Sequence, residues 1–308
     1  MLTWGAAAAL VSASAWANDP VPPRALPPEW TAATRDVFFP DARGELVGER
    51  PAGGVRDNAT SAADSSNRGP GEGEPTGFAW SRLVDEQTLM AEIKRLNNQL
   101  AGPLSNPSRF KGGDYQLCRQ HVVWLAILMA VVEDYDQRLR LQEVAPVLRH
   151  GLARAGRNLQ VATDQTYAEA RLRKADLDDA LRGQRFASEP PEDLAQWSDL
   201  GTRALVMQRM EQAQQQQINP ALASEREFRR GSDQVRQAAQ LLALFTEVVS
   251  REAFDDWDDD TYRGLAADLA AASRDLATAA AQQNYDAARA AAARVTHTCT
   301  ACHEGYRG

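Results

Sequence analysis

The chain has 308 residues, of which 44% are hydrophobic and 25% charged, with a net charge of −8. That hydrophobic share suffices for true cores, while the acidic balance argues against nucleic acid or an anionic membrane surface as partner. Three cysteines, two of them near the C-terminus, make no disulfide framework.

Residues 1–17 read as an export signal. Ala6 to Val11 is a short apolar run, and Ala15-Trp16-Ala17 gives a small-x-small cleavage pattern before Asn18, although no Lys or Arg lies between Met1 and Ala17. The run is too short to span a bilayer, and no later segment reads as apolar enough to do so. A soluble protein, periplasmic or otherwise exported, is the expectation. Residues 18–77 are rich in Pro, Gly, Ser and charge and read as a disordered linker. Trp30, Phe38 and Phe39 are the residues in it able to dock on a folded body or a partner.

From Phe78 onward the pattern is helical, with no strand alternation. Segments fall at about 81–101, 111–135, 141–163, 166–183, 192–217, 225–252, 260–282 and 285–307. Breaks come at Gly102-Pro103, Glu189-Pro190-Pro191 and Asn219-Pro220. This predicts an all-α fold of two tandem antiparallel four-helix bundles, residues 78–189 and 190–308. Cys118, alone in an apolar stretch, reads as a small buried hydrophobe. The run Asp255-Asp256-Trp257-Asp258-Asp259-Asp260 reads as a capping and solubilising loop.

The two sets of helices look like copies offset by about 117 residues. Trp80-Ser81-Arg82-Leu83 returns as Trp197-Ser198-Asp199-Leu200, and Met90 falls on Met207. Phe110 parallels Phe228 with a one-residue gap, and Tyr167-Ala168-Glu169-Ala170-Arg171 parallels Tyr285-Asp286-Ala287-Ala288-Arg289. In that register Leu181, Gln184 and Arg185 stand where the second copy has Cys299, Cys302 and His303.

Cys299-Thr300-Ala301-Cys302-His303 is a C-x-x-C-H sequence, the signature of c-type haem attachment. Its spacing sets two thiols against one porphyrin edge while the following imidazole reaches the iron. One covalent haem c is therefore expected, held by Cys299 and Cys302 with His303 as iron ligand. A zinc site would need four ligands, and the remaining candidates, Cys118, His121, His150 and His297, are scattered. A redox-active dithiol would expect strands around it.

The end of the chain, from Cys299 to Arg307, resembles the C-terminus of the cytochrome c-prime family, four-helix bundles whose haem hangs from the last helix. The stretch from Asp275-Leu276 to Arg294-Val295 is also similar, and Arg203-Ala204-Leu205-Val206-Met207 matches the arginine and distal residue of the family's first helix. The resemblance covers about residues 192–307. It implies that Met207 faces the iron opposite His303 and that Arg307 lies beside the haem on the His303 side. A solvated terminal cation is the plain alternative for Arg307. Core packing is the alternative for Met207, since Met90 occupies the matching place without a haem and Met210 shares the helix.

Three functions are compatible with these residues. With Met207 as sixth ligand the haem suits electron transfer with an unidentified redox partner protein. With an open face it binds a small gas ligand, nitric oxide or carbon monoxide. With a mainly structural haem, the first copy serves as a docking scaffold. No nucleophile–base set or phosphate-binding glycine loop appears, so the chain is not read as an enzyme. A homodimer is possible, although the first copy could fill the position of a partner subunit.

Overall fold

In the computed structural model, which describes residues 78–184, 196–252 and 254–306, several helices begin where the sequence offers caps. The expectations for residues 1–77, for the break at Pro190-Pro191 and for Arg307 lie outside the described residues. Helix α1 (Glu86–Gln99) is capped by Asp85, whose carboxylate accepts the Thr88 N–H. Helix α2 is Tyr115–Glu133, and α3 (Ala145–Asn158) carries a proline in its first turn. Helix α4 (Asp164–Leu181) opens on a reciprocal Thr163–Thr166 capping box. Then come α5 (Arg203–Gln212), α6 (Glu225–Val249) capped by Ser224, α7 (Asp260–Ala281) capped by Asp259, and α8 (Tyr285–Tyr306). Each side-chain cap satisfies an otherwise orphaned N–H and stabilises its helix by about 1 kcal/mol. No strand occurs among the described residues, so the fold is all-α.

Two segments expected as single helices are broken. Ahead of α1 the chain makes a 3-10 turn, Trp80–Arg82; ahead of α5 it makes a short helix, Trp197–Leu200, then runs extended through Gly201 and Thr202. Gly201 explains the second break. A Cβ there would lie 2.3 Å from Cγ1 of Val123, so only glycine lets this stretch of chain pass against α2.

Helices α1 to α4 pack in a ring, each on the next and α4 back on α1. Beyond residue 196, α6 lies on α5, α7 and α8, and α7 on α8. The two sets also meet: α1 rests on α6, α2 on α5, and Trp197–Leu200 sits against α2 and α3. All described residues fall within one compact unit, Gly71–Gly308, with a single continuous apolar core drawn from both sets.

At the centre is α2, with every residue from Val122 to Val132 buried. This corrects the expectation that no later segment is apolar enough to cross a membrane. Pro107–Glu133 is long and apolar enough, with a mean hydropathy of 1.3 over its 18-residue apolar window, yet 72% of that window is buried inside the protein. A helix apolar on all sides must be covered on all sides, and here α1, α3, α4 and α5 supply the cover. Cys118, fully buried on α2, is a packing residue; burial pushes its thiol up to about 12.

Polar groups cross between the sets at chosen points. Trp124 Nε1 donates to the Leu205 carbonyl at 2.7 Å. Arg209 Nε donates to Glu92 Oε1 at 2.8 Å, and the two side chains are only 1% and 3% exposed. Arg95 closes the other side of Glu92 with two hydrogen bonds of 2.7 Å. Burial pushes the Glu92 carboxyl up, but the Arg95 bonds and the Arg209 charge outweigh it and hold the acid below its usual range. Asp85 receives Arg236 and Gln240 from α6. At one end the Arg251 guanidinium stacks over Phe78, Trp80 and Trp197, 4.8, 4.9 and 5.6 Å from the ring centroids.

Candidate haem-attachment site

Helix α8 runs unbroken through the motif to Tyr306. At 100° per residue, Cys299, Cys302 and His303 fall within about 100° of arc, so one face of the last turns carries all three. The environment grades them. Cys299 is half-buried and packs against the core, Cys302 is half-buried, and His303 is exposed. Burial, with the neighbouring Cys302, pushes the Cys299 thiol up to about 11. Burial also raises Cys302, with Arg203 lowering it and Asp256 raising it. Both sulfurs are thus held as thiols at neutral pH, a state slow to oxidise to a disulfide.

The wall facing Cys302 is built from three elements. Arg203, in the first turn of α5, pairs with Asp256 at 2.9 and 3.0 Å and donates to the Asp255 carbonyl. Its guanidinium lies over the Tyr262 ring of α7, 5.4 Å from the centroid. Tyr262 packs edge-on against Tyr306 of α8 at 5.3 Å and donates to the Val249 carbonyl at 3.1 Å. Tyr306 donates to Asp259, the α7 cap, at 2.8 Å. The Tyr262 N–H, and after it this hydrogen bond, hold Asp259 below the usual carboxylate range. On the other side of the motif, Gln214 reaches Thr296 at 2.9 Å. The end of α8 is therefore tied to the starts of α5 and α7 around the thiols.

The acidic run expected as a capping loop does cap α7, but it does more. Asp256, in the left-handed region at φ 63°, is turned onto Arg203. Tyr262 and Asp256 could not be picked out from sequence, because only the fold brings residues so far apart in the chain to one place. The aromatic at the fourth position after Cys302 was the one available signal.

Of the two methionines on α5, Met210 is buried in the core, whereas Met207, one turn after Arg203, is half-buried and packs against the core edge. Arg203 Nε is buried without a hydrogen-bond partner. The other histidines stand apart: His121 is buried against Trp124 on α2, and His297 is exposed. Among the described residues no three of His, Cys, Asp or Glu gather as a metal cluster. The first set of helices has a cleft of about 470 Å³ beside Met90, lined also by Glu86, Gln87, Ala91, Lys94 and Arg140.

Comparison with known proteins bears on this half of the chain. Residues 199–307 match the family model described as Cytochrome C'. No curated protein and no solved structure matches the chain.

Proposed function

With residues 199–307 matching the cytochrome c-prime family, a family that implies haem c, we propose that the chain is an exported mono-haem cytochrome that transfers electrons. The residues fit the group. Two protonated thiols lie on one helix face, an exposed imidazole follows them, and a buried guanidinium nitrogen beside them lacks a partner. Cys299 and Cys302 would hold the porphyrin by thioether bonds, and His303 would bind the iron through a neutral ring nitrogen. Bound haem iron supplies the one-electron or gas-binding chemistry. The protein supplies the rest. The core beneath Cys299 and the Tyr262–Tyr306–Asp259 tie hold the last turns of α8 in place. Arg203, locked by Asp256, offers a fixed cation next to the attachment point.

The observation that carries this reading is the arrangement of both thiols on one face of α8 opposite Arg203. Met207, the half-buried methionine one turn after Arg203, is the proposed second ligand. A second reading has its own observation: Met207 packs against the core, as a residue covering an open face of a five-coordinate, gas-binding iron would. The absorption spectrum of the purified protein separates the two. Electron transfer predicts a methionine-to-iron charge-transfer band near the red edge that Met207→Ala removes. A high-spin spectrum without that band, shifting when nitric oxide is added, would overturn it in favour of gas binding. In neither reading is the chain an enzyme, and the export-signal pattern of residues 1–17 supports a location outside the cytoplasmic membrane.

A further inference from the structure

Residues 78–184 and 196–306 repeat not only a helix order but individual interactions. Tyr167 donates to the Leu104 carbonyl at 2.9 Å, and Tyr285, 118 positions on, donates to the Leu222 carbonyl, likewise 118 on, at 3.2 Å. Phe110 packs on Tyr167 at 5.2 Å and Phe228 on Tyr285 at 5.7 Å. Arg171 lies over Tyr167 and Arg289 over Tyr285, at 5.8 and 5.6 Å. Nearer the N-terminal end of each half the offset is 117. The change occurs between Arg209 and Leu222, where the second half has a π-helical turn, Ala213–Ile218. A π turn closes on one more residue than an α turn, so it absorbs the single inserted residue and leaves the later helices in register.

In that register two contacts join a position to its own equivalent. Trp80 packs on Trp197 at 5.6 Å, and Glu92 pairs with Arg209; each partner is 117 positions from the other. A residue that touches its own copy marks a two-fold axis. The crossed helix pairs agree, since α1 on α6 is the symmetry mate of α5 on α2.

We propose that the chain is a dimer fused into one polypeptide. The half without the motif is the permanent partner subunit of the half with it, and the Glu92–Arg209 pair at the axis closes this face to a second motif-bearing half. Two such halves joined through this face would bury Arg209 against Arg209, an uncompensated like-charge contact. Fusion lets the axis position carry opposite charges, which two identical subunits cannot do. The pairing does not depend on what Cys299 and Cys302 carry.

The test uses the full chain with a protease recognition sequence placed between residues 185 and 195, cut after folding and read by native mass spectrometry. The cut wild type is expected to stay a one-to-one complex of its two halves. Glu92→Arg in the cut chain is expected to lower that association at least 100-fold, and adding Arg209→Glu to restore it within about tenfold. Homodimers of the C-terminal half from the cut wild type would overturn the proposal. So would an association unmoved by Glu92→Arg, or a charge reversal that restores nothing.

Discussion

At the end of the last helix the two halves part company. Helix α4 stops at Leu181 in a Schellman turn: Gly183 takes φ +90°, its N–H reaches the Ala180 carbonyl at 2.9 Å, and the Gln184 N–H reaches the Asp179 carbonyl at 3.0 Å. Helix α8 runs on through Cys299, Cys302 and His303 to Tyr306. Around the paired methionines the charges differ too, with Glu86 beside Met90 and Arg203 beside Met207. Ring contacts such as Phe110–Tyr167 and Phe228–Tyr285 repeat, whereas the packing of the last helix on its own set, its end and the rim around it differ. Only the second half keeps its last turn helical through the positions where its thiols stand.

The largest expected effect tests that contrast. Cys299→Ala with Cys302→Ala should abolish covalent haem, read as loss of haem staining on a denaturing gel. Leu181→Cys, Gln184→Cys and Arg185→His together should add no second haem, because the turn at Gly183 takes residue 184 off the helical face. A stained product from the second pair after removal of the first would break the comparison.

Next comes the axis. Glu92→Ala leaves Arg209 buried and uncompensated, and a broken buried pair destabilises by about 3–5 kcal/mol. Lys94→Ala, two residues on but exposed, should shift stability by less than about 0.5 kcal/mol. Urea unfolding of the two variants compares a residue on the axis with one on the open rim of the same helix. Equal shifts would show that the pair contributes nothing the surface does not.

Helix existence was legible in the sequence because apolar spacing and capping residues are local signals. The C-x-x-C-H spacing is a local signal too, and the structure puts Cys299, Cys302 and His303 on one face of α8. The breaks at Asp85 and Gly201 were not legible, since they answer to Val123 and to contacts between halves that no local pattern encodes. Nor was the wall around Cys302. Arg203 could be matched by resemblance, but Tyr262 and Asp256 reach it only when α7 folds back. Nothing in their sequence neighbourhood sets Glu92 and Arg209 apart from other helical charges; the burial of both is a property of the packed structure.

Acid should act on the first half before the second. His121 is 4% exposed, and burial, helped by the Arg95 and Arg209 charges and opposed by Glu92, depresses it to about 4 from an unfolded value of 6.5. The unfolded chain then binds the proton that the folded one refuses, so this contribution is intact above pH 6.5 and is lost as pH falls from there to about 4. A shift of that size corresponds to about 3 kcal/mol. Glu92 itself is held below the usual carboxylate range by its Arg95 bonds and the Arg209 charge, against burial. His297 and His303 of the second half are exposed and give no such burial. Unfolding measured from pH 7 to pH 4 should lose stability steadily, and His121→Leu should flatten the loss; an unchanged slope would place the acid response elsewhere.

A smaller loss than at Glu92 is expected at Trp124→Phe. The ring is fully buried on α2, and its Nε1–H is spent on the Leu205 carbonyl of α5. By helix geometry that carbonyl also accepts from the N–H four residues on, so losing the indole donor does not orphan it. The change removes one net hydrogen bond and part of a ring, about 1–2 kcal/mol in all. If charge at the axis dominates the joining of the halves, this loss stays below that of Glu92→Ala in the same urea titration. A loss as large or larger would transfer the main role to the indole and to the apolar surface that α2 shares with α5.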